Sequence, residues 1–134
     1  MDNTAGFRRF LGLAVLFWLP VIAWMTYIFY CSTIPGKDIP SLFPFEDVVF
    51  HALVYLVLGY LFSRALSQSL ETVSLKRIFL WTIVFGIIYG ISDEIHQVFT
   101  AGRTPDFADV VTDGCGACIG SILYRWQKLN LLKR

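Results

Sequence analysis

A chain of 134 residues of which 56% are hydrophobic and only 16% charged, with a mean hydropathy of +0.62, is too apolar for an ordinary water-soluble domain. Its net charge of +1 says nothing about partners, and without a basic patch carrying interleaved aromatics nucleic-acid binding has no support.

The run from Phe10 to Gly36 holds no charged residue and is long enough to cross a bilayer, although Pro20 interrupts it. A first helix is predicted over about 10–32. Arg8 and Arg9 precede it as they would a signal peptide, but the apolar run is long and no small-residue cleavage motif closes it, so it reads as a retained span. The connection that follows is rich in Pro and Gly (Ile34-Pro35-Gly36, Ile39-Pro40, Phe43-Pro44) and reads as an ordered turn region, with Phe43 and Phe45 placed to dip into the membrane interface. A second helix is predicted over 46–66, beginning with Glu46 and Asp47, where the helix dipole favours negative charge. A short polar link at 67–74 leads to a third helix over 75–99. The turn Thr100-Ala101-Gly102-Arg103-Thr104-Pro105 precedes a fourth, over 107–127, which Asp106 is placed to cap. The expected fold is an all-α membrane protein, one domain over 1–134, with four transmembrane helices.

Nine of the eleven basic residues gather toward one side: Arg8 and Arg9 before the first span, Arg64, Lys76 and Arg77 flanking the link at 67–74, and Arg125, Lys128, Lys133 and Arg134 at the end of the fourth span and beyond it; Lys37 and Arg103 are the exceptions. By the positive-inside rule both termini are cytoplasmic, an N-in/C-in bundle in a plasma or bacterial inner membrane. Asp47 lies 17 residues before Arg64, Asp93 lies 16 after Arg77, and Asp109 lies 16 before Arg125. At about 1.5 Å per helical residue the three acids sit roughly 24–26 Å from the anchored side, inside the outer edge of a hydrocarbon core about 30 Å thick. Ionisable groups so placed are costly and normally face one another or a water-filled pocket.

Helical spacing sorts these groups into columns. Asp47, His51 and Tyr55 share one face of the second helix. Tyr89, Asp93 and Gln97 form a column on the third, with Glu94 and His96 beside it. Asp109 and Asp113 share a face of the fourth that continues into Gly116, Ala117 and Gly120. Gly86 and Gly90 on the third helix, and Gly116 and Gly120 on the fourth, have the spacing that lets backbones approach closely. Carboxylates with an imidazole fit three uses: a divalent metal ion held by Asp47, His51, Asp93 and Asp109; general acid and base chemistry; or a structural polar network. Cys115 and Cys118 form a C-x-x-C inside an apolar helix, where small buried packing residues are expected rather than a redox pair.

The stretch Asp93-Glu94-Ile95-His96-Gln97-Val98-Phe99, followed by Gly102-Arg103, Asp109, Gly116 and Gly120, resembles the signature of the VanZ-like family. Asp47, His51, Tyr55 and Gly59 resemble that family's second element, and Ser32 with Pro35 its polar end of the first helix. Two positions depart from the pattern: Val48 stands where the family usually has Lys, and Asp113 where it usually has Asn. Together they leave an excess of negative charge that calls for a proton or a bound cation. The resemblance implies a membrane protein of the cell envelope; the family's namesake is associated with resistance to teicoplanin, a lipoglycopeptide antibiotic. The expected function is to modify or handle a lipid-linked envelope component, with a membrane lipid or lipid-linked head group as partner. In that reading Asp93 and Glu94 act as base or ligands, His51 as acid, base or ligand, and Asp47 orients His51. Arg103 grips an anionic head group, and Gln97, Asp109 and Asp113 complete the site. The alternatives are a small transporter or flippase component, oligomeric and using the acids as a cation or proton site, and a structural partner of an envelope enzyme.

Overall fold

The computed structural model describes residues 3–38 and 44–133, and within them every regular element is helical. The first span is a single rod made of α1 (Asn3–Leu13), a π-helical turn (Ala14–Trp18) and α2 (Leu19–Ser32). Pro20 lies in the first turn of α2. Its ring has no N–H and crowds the carbonyl four residues back, and the helix widens immediately before it instead of breaking. The rod begins near residue 3 rather than 10, because Arg8 and Arg9 mark where the chain leaves hydrocarbon and do nothing to end a helix. The other helices are α3 (Glu46–Ser69), α4 (Leu75–Gln97) and α5 (Phe107–Leu131). The third ends at Gln97, two residues earlier than expected, as Val98 and Phe99 turn toward the 100–106 connection. All four spans are long and apolar enough to cross a membrane. The chain is thus an all-α protein with four membrane-spanning-capable helices.

Three of the helices owe their arrangement to missing side chains. A Cβ on Gly120 would strike the Leu56 carbonyl, one on Gly59 the backbone of Ala117, and one on Gly116 would lie 2.5 Å from the Ala52 carbonyl oxygen. The backbones of α3 and α5 therefore meet with nothing between them. The glycines of α4 serve the same purpose toward α5: a Cβ on Gly86 would lie 2.5 Å from the Ala117 Cβ, and one on Gly90 2.6 Å from Asp113 Oδ2. Where the three helices converge in the half nearer the termini, Ser63 Oγ bonds both Thr82 Oγ1 and Ser121 Oγ at 2.8 Å. Each hydroxyl buried there has a partner, as an apolar surrounding demands.

The first span leans on this trio through aromatic side chains. Trp24 donates its indole N–H to the Val54 carbonyl (2.8 Å), Trp18 to Ser69 Oγ (2.9 Å), and Tyr89 donates to the Met25 carbonyl (2.7 Å). Phe62 and Phe85 stack at 3.9 Å between them. At the end carrying the termini, Arg9 pairs with Glu71 at 2.7 Å and Lys128 donates to Ser67. At the opposite end, called here the turn end, Gly36 N–H donates to the Ala101 carbonyl (3.1 Å) and Thr100 Oγ1 to the Ser32 carbonyl (3.0 Å). Gly102 adopts φ +74° and its carbonyl fills the space a Cβ on Gly36 would need, so both positions require glycine. Phe45, also left-handed at φ 65°, is fully exposed beside the start of α3. Phe43 and the Ile39-Pro40 pair lie outside the described residues.

Cys115 is exposed and Cys118 half-buried, both as free thiols, which corrects the expectation of buried packing. The glycine seam of α5 takes the faces toward α3 and α4 and turns Cys115 outward. Large apolar side chains such as Ile88, Ile95 and Ile122 likewise cover the outer surface.

Adding one methyl at the α3–α5 contact tests this account. Gly120→Ala should cost about 1–3 kcal/mol through overpacking, read as a lowered melting temperature of the purified protein in detergent. Gly12→Ala, where a Cβ meets nothing within 4 Å, should leave melting unchanged or raise it.

Candidate functional site

The close approach of α5 to α3 carries Asp113, four residues before Ala117, to the level of His51. Asp113 is fully buried and its Oδ1 lies 2.9 Å from His51 Nδ1. With the ring's N–H donating there, a neutral imidazole presents its lone pair at Nε2. Nε2 faces Asp109 Oδ2 at 4.0 Å. Donor atoms of His51, Glu94 and Asp109 all lie within 4.8 Å of one another.

Asp93 and Glu94 point to different partners although they are adjacent. Asp93 Oδ1 accepts from Ser32 Oγ at 2.5 Å, so the end of the first span closes over the site. Gln97 Nε2 donates to Asp93 Oδ2 (3.3 Å) and Glu94 Oε1 (3.2 Å), bridging two carboxylates with one amide. Glu94 Oε2 accepts the backbone N–H of Asp106 at 2.8 Å, and Asp106 Oδ1 in turn caps α5 through Ala108 N–H. One carboxylate thus ties the end of α4 to the start of α5.

Six of the expected site residues, His51, Asp93, Glu94, Gln97, Asp109 and Asp113, are thereby gathered into one polar chamber at the turn end. Asp47 stands apart. It is exposed at the rim, one turn nearer the start of α3, and does not orient His51; Asp113 does so from α5. Of the expected metal-ligand set, His51 and Asp109 lie together, but their third neighbour is Glu94: Asp93 is turned to Ser32 and Gln97, and Asp47 is at the surface. His96 leaves the chamber altogether and stacks on Phe29 at 4.1 Å. Arg103 is half-buried and donates through Nε to the Ile34 carbonyl at 3.3 Å.

Beside the chamber, between α2 and α3, runs a cleft of about 500 Å³ whose lining includes His51, Tyr55, Asp93, Gln97 and Arg103. Two buried polar atoms near this junction, Tyr55 Oη and Asp113 Oδ2, have no hydrogen-bond partner among the described residues. Sequence spacing had marked Tyr55 only as a member of the His51 column, and Ser32 only through the family likeness. Ser32 is the last residue of a charge-free helix and meets Asp93 across 61 positions of chain, a pairing that local periodicity cannot reveal.

The VanZ/LLP1 family profile matches residues 17–129, most of the chain. The protein belongs to the VanZ/LLP1 family. Comparison with curated proteins and with solved structures found no match. In this VanZ/LLP1 chain Asp113 is the residue that holds the central imidazole, whereas Val48 is exposed on the outer face of α3.

Gly90 gives a way to disturb that pair without touching it. In Gly90→Ala the new methyl would press on Asp113 Oδ2 and move the carboxylate off Nδ1. The ¹⁵N spectrum of the His51 ring should change in the same direction as in Asp113→Leu, with helix content by circular dichroism unchanged. Ring signals identical to those of the unmodified protein in both variants would show that Asp113 does not hold the imidazole.

Proposed function

We propose that this protein modifies or handles a lipid-linked component of the cell envelope, in a polar chamber facing the outer leaflet of the plasma or inner membrane, with His51 as the acid–base centre. The observation that carries the reading is the His51–Asp113 pair: a buried imidazole with one nitrogen fixed by a carboxylate and the other directed at Asp109 and Glu94. Such a ring can give or take a proton at a defined atom, and Asp113 fixes which atom that is. Asp93 and Gln97 border the adjoining cleft and would position a head group there, with Arg103 at its mouth. Support for the outward orientation is the distribution of Lys and Arg, which by the positive-inside rule favours cytoplasmic termini.

This arrangement favours a site served from one side over a proton or cation relay across the bilayer. The half of the bundle nearer the termini is filled by the Ser63–Thr82–Ser121 hydroxyls, bonded to one another, and by fully buried Leu58.

The family's association with teicoplanin supplies a functional readout. Expression in a teicoplanin-susceptible Gram-positive host should raise the inhibitory concentration of the drug severalfold. His51→Ala and Asp109→Asn, present in the membrane at equal levels, should abolish the increase. Full protection by both variants would remove the chamber from the function.

A divalent cation at His51, Glu94 and Asp109 is a second reading, favoured by the grouping of their donor atoms and by Asp113 behind His51. A carboxylate on the far nitrogen is the usual support for a ligating histidine. On this reading Mn²⁺ or Zn²⁺ raises the melting temperature of the purified protein and Glu94→Gln removes the rise. An unchanged melting temperature with either ion counts against it.

A further inference from the structure

We infer, on the reading of the chamber as one that handles a lipid-linked head group, that the cleft between α2 and α3 takes up a single hydrocarbon chain from the bilayer and holds an uncharged, hydroxyl-bearing head group, such as a sugar, against Asp93, Gln97 and Arg103.

The walls of the cleft are apolar: Tyr27 and Ile28 on one side, Val49, Phe50 and Leu53 on the other. Tyr27, Phe50 and Leu53 are at the same time exposed on the outside of the bundle, Leu53 at 57%. The same side chains therefore face the cleft and the lipid, so the cleft opens sideways into the membrane. Its length fits the start of a chain rather than a whole lipid. From Asp47 to Val54 is about 11 Å along the helix axis, well under half of a hydrocarbon core about 30 Å thick, and the Trp24–Val54 hydrogen bond lies at its lower end. A volume of about 500 Å³ lies toward the lower part of the usual range for ligand pockets, roughly 300–1,000 Å³. One chain enters, and its remainder stays among the bilayer lipids.

The polar end selects the head group by charge. Among the described residues, Asp38, Glu46, Asp47 and Asp93 line the cleft against a single permanent cation, Arg103. An anionic head such as a phosphate would meet this excess of like charge in a medium of low dielectric, where repulsion is strong. A bare ammonium would be drawn by the same excess, but it has donors only and offers nothing for the guanidinium to donate to. Carboxylate, amide, hydroxyl and guanidinium groups set side by side supply both donors and acceptors, the mixture that neighbouring hydroxyls use. Tyr55 adds an independent sign of a missing partner. It lines the cleft, is fully buried, and its hydroxyl is unpaired among the described residues. An unpaired buried hydroxyl of this kind calls for a ligand or water to complete it.

Photolabelling of the whole protein in phosphatidylcholine nanodiscs tests the inference. Three probes share one decyl chain carrying a diazirine and differ only in the head: a glucoside, a phosphate and a primary ammonium. The glucoside should label residues 27–31 and 49–54, severalfold more than either charged probe, and unlabelled decyl glucoside should compete. Leu53→Trp, which fills the exposed mouth, should lose this labelling, while Ile88→Trp on the outer face of α4 should keep it. Equal or stronger labelling by the phosphate or ammonium probe overturns the head-group assignment. Labelling spread over the outer faces of α4 and α5, or unaffected by Leu53→Trp, overturns the cleft. The two readings fail separately. An unlabelled cleft in a protein that still confers His51-dependent protection sinks this inference alone, and a labelled cleft in a protein whose His51→Ala variant protects fully sinks only the functional proposal.

Discussion

The contact of two bare helix backbones, α3 against α5, is what the remainder of the site depends on. Gly59, Gly116 and Gly120 remove the side chains that would otherwise hold the two axes apart. Lipid tails are as apolar as leucine, so helices in a bilayer gain little from hiding apolar surface from each other; close van der Waals packing and interhelical hydrogen bonds must hold them together. Moving α5 outward by the width of a methyl group would lengthen the 2.9 Å approach of Asp113 to His51 and leave a buried carboxylate and a buried imidazole without each other. The chemistry of the chamber and the packing of the bundle are in this sense one structure.

That dependence explains why polar groups are distributed so unevenly along the bundle axis. In the half nearer the termini the interior polarity consists of neutral hydroxyls that satisfy one another around Ser63. At the turn end, four carboxyl groups (Asp93, Glu94, Asp109 and Asp113) surround one imidazole. Uncompensated charge inside a membrane is expensive, and each carboxyl here has an identifiable compensation: Asp93 has Ser32 and Gln97, Glu94 has Gln97 and the Asp106 N–H, and Asp113 has His51. Among the described residues Asp109 has only longer-range compensation, the Nε2 of His51 at 4.0 Å and the charge of Arg103. The least compensated acid thus stands where the imidazole's free nitrogen points, and it is the place where a proton, a cation or a substrate group gains most from arriving.

Counting residues from basic anchors set Asp47, Asp93 and Asp109 toward one end of the bundle, where Asp93 and Asp109 enter one chamber and Asp47 stays at the rim, and the 3.6-residue period set His51, Asp93, Asp109 and Asp113 on faces turned to neighbouring helices. Both inferences use one-dimensional information, and depth and facing are one-dimensional properties of a rod. Which group touches which is a property of how rods cross. Asp47 and Asp113 are equally plausible partners for His51 on spacing alone; the glycines decide between them, because they set how near α5 comes. The same blindness explains His96 and the cysteines. His96 is one residue from Gln97, yet the 100° step between neighbours turns it onto Phe29. Cys115 lies between Gly114, packed toward Ile87 of α4, and Gly116 of the seam, and so shares their neighbourhood in sequence while facing away from them in space. Ser32 was hidden for a different reason, since one hydroxyl at the end of an apolar helix carries no periodic signal.

Positions 48 and 113, where the family likeness leads one to expect Lys and Asn, differ in what they do to the chamber. A lysine at position 48 would start from the exposed face of α3, so the valine found there takes no cation out of the chamber's interior. The aspartate at position 113 is another matter. An asparagine could also accept from Nδ1, through its amide oxygen, but it would carry no charge. Aspartate adds a full negative charge at a fully buried site where its second oxygen, packed against Gly90, has no hydrogen-bond partner among the described residues. A buried charge of this kind is tolerable only beside a positive one. Arg103 is turned to the Ile34 carbonyl and the cleft, so the charge is answered by a proton, on His51 or on the carboxyl itself, or by a cation held beyond His51 by Glu94 and Asp109. Either way the aspartate ties the charge state of the chamber to whatever binds at Nε2.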